Sequence, residues 1–69
     1  MPTTDIYTHG DIARILVHRN GILPLRPGDL ATVRSTGLRN HTHPYVAVTV
    51  ELPAGTVHTS FAPHHLEHL

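Results

Sequence analysis

The chain of 69 residues contains no cysteine, and this removes two common ways of stabilising so small a domain. A core of this size rarely contributes more than about 3–5 kcal/mol, and small natural domains often add disulfides, a metal ion or a partner. Without cysteine, both disulfide bonds and thiolate metal sites are excluded. A metal ion could then be held only by histidine and carboxylate side chains. Oligomerisation is the other available support.

Neither sign of charge is in excess. Five arginines balance five acidic residues, lysine is absent, and the formal net charge is zero with histidine taken as neutral. Dedicated nucleic-acid-binding proteins usually carry a basic excess, so this balance argues against that class without excluding a local basic patch. The eight histidines mean that positive charge rises steeply as the pH falls below about 6.5.

Long apolar runs are also missing. No run approaches the roughly 20 apolar residues that a membrane-spanning helix needs. Residues 1–5 lack the charged and apolar regions of a signal peptide. We therefore expect no membrane partner and a cytoplasmic location.

The strongest positive signal is an extended strand over residues 44–52. β-Branched residues dominate this stretch, Pro44 stands at its start, and Pro53-Ala54-Gly55 turns the chain back. Side chains on a β-strand alternate between its two faces, and the apolar residues here follow that period of two. One face should carry Val46, Val48, Val50 and Leu52, and the other Tyr45, Ala47, Thr49 and Glu51.

Further short elements are predicted on both sides of this strand. The turn Arg26-Pro27-Gly28-Asp29 has a clear chemical basis, because proline fixes φ, glycine frees it and aspartate can bond nearby backbone. Strands joined by short turns indicate an antiparallel meander. The remaining predicted elements are a strand over 30–35, a polar loop over 36–44, a strand over 56–61, a single helical turn over 62–65 and a closing strand over 66–69.

An α-helix is predicted over residues 8–20, after a loose lead-in at residues 1–7. Thr8, followed three positions later by Asp11, forms a short variant of the capping box, and the acidic group suits the first turn of a helix. The apolar stripe of this helix consists of Ile12, Ile15 and Leu16. If that stripe covers the sheet, Leu16→Ala should cost about 2–5 kcal/mol.

Asn20-Gly21 admits two interpretations. It can end the helix, because Gly21 can adopt the left-handed conformation that follows many helices. It is also a strong two-residue hairpin signal, which would make 13–19 and 22–27 paired strands. Pro24 and Pro27 would both fall in the second of those strands and remove hydrogen-bond donors from it, so the helix is favoured.

The order of these elements resembles that of SH3-like small barrels. The resemblance lies in Pro27-Gly28-Asp29-Leu30-Ala31-Thr32-Val33-Arg34, in Pro44-Tyr45-Val46 and in Phe61-x-Pro63-x-x-Leu66-Glu67. It covers residues 26–69 and looks strongest toward short bacterial SH3-like proteins of unknown function. A more distant likeness is to the barrel of the nitrile hydratase β subunit.

This resemblance implies a mainly β fold: a small antiparallel barrel of four to five short strands, preceded by the N-terminal helix, in one domain spanning residues 1–69. Four strands are clear where five are usual, so residues 22–25, the helix or a second subunit should cover the open edge. The resemblance implies a binding or scaffolding module and carries no catalytic residues with it.

Histidine is the residue type that could hold a metal. Neutral imidazoles at close spacing can bind zinc, nickel or copper. The closely spaced pairs are His41 with His43, His64 with His68, and His65 with His68. None of the dense ligand motifs of known metal sites is present, so these residues are interpreted as surface histidines. We expect no metal and no cofactor.

Catalytic groups cannot be assigned. A nucleophile such as Ser35 or Ser60 needs a base and a third group that orients the base, and the sequence identifies neither. Paired carboxylates and a glycine-rich phosphate loop are both absent from the sequence. We therefore expect that the protein is not an enzyme.

A recognition patch is the better-supported kind of site. Arginine can hold a carboxylate or a phosphate, and tyrosine offers a face for stacking. In SH3-like folds the loop over 36–44 borders the usual ligand groove. Nucleic-acid-binding surfaces usually stack bases on several aromatic residues, and this patch has only one. The candidate binding residues are Arg34, Arg39, His41, His43 and Tyr45.

The leading functional hypothesis is a non-enzymatic interaction module that binds another protein, as a self-associating or an accessory subunit. The alternative is a small nucleic-acid-binding regulator that uses the surface from Arg34 to Tyr45. A third hypothesis is a histidine-based sensor of metal or pH. Salt dependence separates the first two, because phosphate contacts release counterions and weaken steeply as salt rises.

Overall fold

The computed structural model describes residues 6–69. The elements in chain order are β1 (Ile12–Ile15), β2 (Leu30–Arg39), β3 (His43–Leu52), β4 (Gly55–Phe61), a 3₁₀ turn (Pro63–His65) and β5 (Leu66–His68). The strands form one five-stranded antiparallel sheet in the order β4-β3-β2-β1-β5. This confirms the predicted mainly β, antiparallel architecture, including the helical turn and short strand near the end. Within the described part of the chain, no helix could span a membrane.

The predicted N-terminal α-helix is wrong, because residues 12–15 form strand β1 and no α-helix occurs within 6–69. Ala13 and Ile15 are fully buried, whereas Ile12 and Leu16 are 41% and 46% exposed. This alternation has the period of a strand. β1 also pairs with β2 on one side and β5 on the other, so its backbone groups are satisfied by the sheet. An isolated helix of this length is marginal in water, and the paired strand is therefore preferred.

The Thr8–Asp11 motif makes a turn that leads into β1. The Thr8 amide and hydroxyl both donate to Asp11 Oδ2 at 2.9 Å, and the Asp11 amide donates to the Thr8 carbonyl at 3.0 Å. The bond from the Thr8 amide to the Asp11 carboxylate is one half of a capping box, but the Asp11 amide bonds to the Thr8 carbonyl and not to its hydroxyl. These contacts fix the local turn but leave the next residues free to join the sheet.

Residues 1–5, most of the predicted loose lead-in, lie outside the described residues. Tyr7 contradicts the rest of that prediction, because it is buried in the core and its ring meets the His68 ring edge to face at 5.2 Å. Burial raises the pKa of the Tyr7 phenol above its ordinary value of 10.0.

The segment between β1 and β2 is the longest irregular stretch within 6–69. Arg19 and Leu25 exchange backbone hydrogen bonds of 3.0 and 2.9 Å, so Asn20-Gly21 lies in a reversal of the chain. The alternative hairpin interpretation is also wrong, since β1 pairs with β2 and β5 and only this one bridge joins the arms of the reversal. Burial of Leu25 in the core holds the excursion against the sheet.

The predicted turn at residues 26–29 is confirmed. The Asp29 amide donates to the Arg26 carbonyl at 3.1 Å, and Asp29 Oδ2 accepts from the Arg26 amide at 2.9 Å. Gly28 has a φ of 100°, which suits the third position of a type II turn after proline. The Gly28 amide also donates to the Ile15 carbonyl at 2.7 Å and so ties this turn to the end of β1.

The predicted polar loop at 36–44 is wrong. β2 continues to Arg39 and β3 begins at His43, so only three residues connect them. Asn40 and His41 adopt positive φ values of 53° and 61°, and the Thr42 amide donates to the Arg39 carbonyl at 3.2 Å. The polar side chains that suggested a loop belong to a solvent-facing ribbon, where polarity is compatible with a strand.

The sheet is not closed into a barrel, which corrects the predicted fold class. β4 and β5 are its two edges and do not pair with each other. Arg19 lies beside the β4 edge and donates to the Ser60 carbonyl, and a cleft of about 380 Å³ separates residues 19–25 from residues 56–58. The irregular excursion therefore borders the edge that the predicted barrel would have closed.

An apolar core lies on one face of the sheet. Its residues come from every strand and from the excursion: Tyr7, Ala13, Ile15, Leu25, Ala31, Val33, Val46, Val48, Val50, Phe61 and Leu66. The alternation predicted for β3 is confirmed, because Val46, Val48 and Val50 are almost fully buried. Each buried valine of β3 faces a residue of β4 across the sheet.

Asp11 links β5 to the start of β1 and gives stability a pH dependence. His68 Nε2 donates to Asp11 Oδ2 at 2.9 Å. The hydrogen bond from His68, followed by those from Thr8, holds the pKa of Asp11 below its ordinary value of 3.8. Because the unfolded chain binds a proton there more readily, the stabilisation is present above that ordinary value and is lost as pH falls through the lower folded value.

We expect Asp11→Asn to melt below the wild type at neutral pH, with the difference shrinking as pH falls below 3.8 and the Asp11 carboxylate of the wild type becomes protonated. Thermal unfolding followed by circular dichroism across this pH range measures the difference. A constant difference at every pH would contradict the assigned role of the Asp11 charge.

Candidate binding groove

The end of the sheet near the β2–β3 turn is shaped by a β-bulge. The register of β2 against β3 shifts between Val33 and Ser35, so Arg34 has no cross-strand partner. Bulges of this kind re-aim side chains and twist the strand. After the bulge, Gly37 lies opposite Tyr45.

The Tyr45 ring rests against the backbone of Gly37. A Cβ atom added at Gly37 would lie 2.7 Å from Tyr45 Oη and 2.9 Å from Cζ. Only glycine leaves room for the ring in this position. Tyr45 is therefore half-buried, with one side against the strand and the other turned toward its neighbours on the sheet surface.

Beside Tyr45 lies a depression of about 270 Å³, which we call the groove. It lies between the 16–29 excursion, the start of β3 and the end of β4 with the 3₁₀ turn. Its lining residues are Arg19, Arg39, His43, Pro44, Tyr45, Ser60, Phe61, Ala62 and His65.

Arg19 is fixed at one wall of the groove. Its guanidinium lies over the Phe61 ring, with 3.9 Å from Cζ to the ring centroid. Nη1 also donates to Thr59 Oγ1 at 2.8 Å and to the Ser60 carbonyl. A cation held over an aromatic face and by two hydrogen bonds loses little further freedom when it binds a ligand.

Arg39 approaches the same place from the other side. Its Nη2 donates to Ser60 Oγ at 3.2 Å, and its Cζ lies 5.6 Å from the centroid of the Tyr45 ring. Arg19 and Arg39 thus converge on Ser60, one at the backbone carbonyl and one at the hydroxyl. Two guanidinium groups thus donate hydrogen bonds to the same uncharged residue, Ser60.

A second depression of about 500 Å³ continues across the sheet surface from the groove. It shares Arg39, Tyr45 and Ser60 with the groove and adds the bulge residue Arg34 and the exposed Leu38. Tyr45 therefore forms a ridge between two shallow sites, and each site contains arginine.

The charged side chains that line the two depressions are all positive. Within residues 6–69, no aspartate or glutamate lines either depression. The ion pairs found within residues 6–69 lie elsewhere, between Arg14 and Glu67 and between His68 and Asp11. A chain with zero formal net charge has thus concentrated three arginines on one small area.

The structure brings together four of the five predicted binding residues. Arg39, His43 and Tyr45 line the groove, and Arg34 joins the second depression. His41 lines neither site, because it lies exposed in the β2–β3 turn with a positive φ. Among the residues that sequence reasoning missed are Arg19, Ser60, Phe61 and His65, which line the groove, and Gly37, which makes room for the Tyr45 ring.

The reasons for these omissions differ. Arg19 had been placed in a helix, and nothing near it in the sequence indicates contact with β4. Gly37 could have been found from its pairing with Tyr45, since a glycine opposite an aromatic residue allows the ring to lie against the backbone. That pairing depends on the bulge, which the sequence did not indicate.

Metal-ligating side chains do not converge in the described part of the chain. No group of three histidine, aspartate or glutamate residues within 6–69 is placed to hold an ion. His64 and His65 are close, with ring centroids 4.1 Å apart, but two imidazoles alone do not make the usual site.

We expect the melting temperature to be the same with and without a chelator, because stabilisation by a bound metal would disappear when the metal is removed. Differential scanning calorimetry with and without EDTA measures this, and zinc added after EDTA serves as the control. A fall of more than a few degrees that zinc restores would show a structural metal.

Gly37→Ala tests how Tyr45 is positioned. The new methyl group would overlap the tyrosine ring, so the ring must swing away and open one wall of the groove. We expect the backbone amide signals of Arg39 and Ser60 to shift in the ¹⁵N spectrum, while the melting temperature falls by only a few degrees because the ring is half-buried. Unchanged amide signals would contradict the close contact.

Comparison with protein-family models, with curated proteins and with solved structures finds no match to this chain.

Proposed function

We propose that the protein is a non-enzymatic interaction module that binds another protein through the groove and the second depression. The observation that carries this proposal is the pair Arg39 and Tyr45, which lines both depressions and lies on the paired strands β2 and β3. Binding sites built on strands hold their side chains more exactly than sites on free loops. Arginine and tyrosine are also enriched among residues that dominate protein interfaces.

The size of the chain supports a role in association. A chain of 69 residues without disulfides has little stability of its own, and the open sheet leaves two edges. A partner would stabilise the folded state by mass action. Whether that partner is a second copy or a different protein is decided by the experiment below.

Kinship with SH3-like proteins is part of the same proposal. Its support is the 3₁₀ turn that precedes the last short strand, within the motif Phe61-x-Pro63-x-x-Leu66-Glu67. A groove beside the β2–β3 turn is in keeping with a ligand site of that kind. A bacterial source and a cytoplasmic location belong to this proposal as well.

Capture experiments with matched baits test the proposal. The wild-type protein and its variants are immobilised and exposed to a nuclease-treated lysate of the source organism, and bound proteins are quantified by mass spectrometry. We expect Arg39→Ala and Tyr45→Ala to reduce capture of one specific protein about tenfold or more, a change worth about 1.4 kcal/mol per tenfold.

Arg26→Ala is the matched control, because Arg26 lies in the exposed turn before β2 and lines neither depression. Melting temperatures should be nearly unchanged in the two arginine variants and lower by only a few degrees in Tyr45→Ala, because the Tyr45 ring is half-buried. Equal capture by every bait would overturn the proposal. The same capture is repeated with an untreated lysate, and a protein that is captured only when nuclease is omitted would support the nucleic-acid alternative instead.

A further inference from the structure

We propose that the groove recognises a carboxylate group of an acidic peptide segment, held between the guanidinium groups of Arg19 and Arg39. This inference rests on the proposed function and specifies the chemistry of the partner. Three observations support it: the fixed positions of the two guanidinium groups, their N–H donors without an acceptor within residues 6–69 and the positive charge of the surrounding surface.

Arg19 keeps most of its hydrogen-bonding capacity. A guanidinium has five N–H donors, and both contacts of Arg19 with described residues use Nη1. Nη2 and Nε therefore have no acceptor within residues 6–69. The planar guanidinium can therefore donate two parallel hydrogen bonds to the two oxygens of a carboxylate.

Arg39 supplies a second donor group at the same site. Its one hydrogen bond with a described residue is the long contact with Ser60 Oγ at 3.2 Å, and the residue is exposed. Since Arg19 also contacts Ser60, the two guanidiniums face one region from opposite sides. An anion placed there would relieve the repulsion between two like charges.

The second depression extends the inference to a second acidic residue. Arg34 lies there on the bulge, beyond the Tyr45 ridge, and Leu38 adds an exposed apolar side chain. An extended peptide that crosses Tyr45 could place one carboxylate near Arg19 and another near Arg34. Successive side chains of an extended peptide point to opposite sides, so carboxylates two residues apart would face the surface together.

The surface favours a peptide over a nucleic acid for two reasons. Tyr45 is the one partly exposed tyrosine or phenylalanine ring in the two depressions, because Phe61 is 1% exposed, whereas single-stranded nucleic acids stack on several such rings. The chain as a whole is neutral, so it lacks the long-range attraction that proteins use on polyphosphate backbones. A few localised arginines suit a short acidic segment.

Titration of the ¹⁵N-labelled full chain with a blocked tetrapeptide of four glutamates tests the inference directly. We expect the amide signals of Arg39, Tyr45 and Ser60 to shift on addition of the glutamate peptide, with no comparable change for a blocked tetrapeptide of four glutamines. Arg39→Gln should weaken binding about fivefold or more, whereas Arg26→Gln, which removes the same charge elsewhere, should leave the affinity within about twofold. Arg19→Lys should also weaken binding, because lysine keeps the charge but loses the planar fork.

Melting temperatures establish that each variant is folded. Equal weakening by Arg39→Gln and Arg26→Gln would show unspecific charge attraction and overturn the site. Tighter binding of an octathymidylate oligonucleotide than of the glutamate peptide would overturn it in favour of a nucleic acid. If neither probe binds, the carboxylate site is wrong, while the protein-binding function is decided separately by the capture experiment.

Discussion

Ile15→Ala is expected to lower the free energy of unfolding by about 2–5 kcal/mol, the range for truncation of a fully buried aliphatic side chain. Ile15 is 0% exposed and lies in β1, which is paired on both sides. This loss is comparable with the stability of the whole domain, since small cores rarely supply more than about 3–5 kcal/mol. The variant should therefore be largely unfolded at room temperature, as circular dichroism would show.

Leu16→Ala is the matched control at the neighbouring position. Leu16 is 46% exposed, so its truncation should cost about 1 kcal/mol or less. If Ile15→Ala does not fold, Ile15→Val takes its place. It removes one methyl group and should cost about 0.5–1.5 kcal/mol, which urea unfolding can measure. A larger loss for Leu16→Ala than for Ile15→Ala would restore the helical interpretation of this segment.

Phe61→Ala is expected to have a comparable effect, about 3–5 kcal/mol, because Phe61 is one of the largest fully buried side chains. Its ring also supports Arg19 at 3.9 Å. The change therefore removes core volume and the floor of the groove together. Urea unfolding followed by circular dichroism measures the loss, and the absence of tryptophan makes fluorescence less useful.

Phe61→Leu separates the two roles of this residue. Leucine retains most of the apolar volume, so the stability loss should be about 1–2 kcal/mol, but it offers no aromatic face to Arg19. We expect this folded variant to bind the glutamate peptide more weakly than the wild type. Unchanged peptide binding would mean that the ring does not position Arg19, and a loss below about 1 kcal/mol for Phe61→Ala would contradict its burial.

Most of the strand residues after residue 26 were predictable because their signals are local, but the second half of β2 was not, since its polar side chains are equally typical of a loop. In β3 the alternation of valines with small or polar residues coincides with burial of one face, and Gly28 occupies a turn position with positive φ. The N-terminal segment was ambiguous, because its apolar residues fit two periods. Ile12, Ile15 and Leu16 suit a helix, whereas Ala13 and Ile15 suit a strand. The segment forms a strand because it pairs with β5, which is distant in the sequence. A local sequence pattern does not indicate such a contact.

The candidate site was predictable only in the part carried by β2 and β3. Arg34, Arg39, His43 and Tyr45 are near one another in sequence, and a turn brings them together. Arg19 reaches Ser60 across 41 positions of the chain, through an irregular excursion without a regular hydrogen-bond pattern. Contacts of this kind depend on how the finished sheet curves, which composition and periodicity do not specify.

The most direct test of the central claim places a photocrosslinker in the groove. His43, which is exposed and lines the groove, is replaced by p-benzoylphenylalanine, and Thr32, which is exposed and lines neither depression, is replaced in the same way as a control. After irradiation in a lysate of the source organism, we predict a discrete protein adduct at position 43 that excess glutamate peptide suppresses, and none at position 32. Absence of an adduct at position 43, or an adduct that nuclease removes, would contradict recognition of an acidic protein segment at this groove.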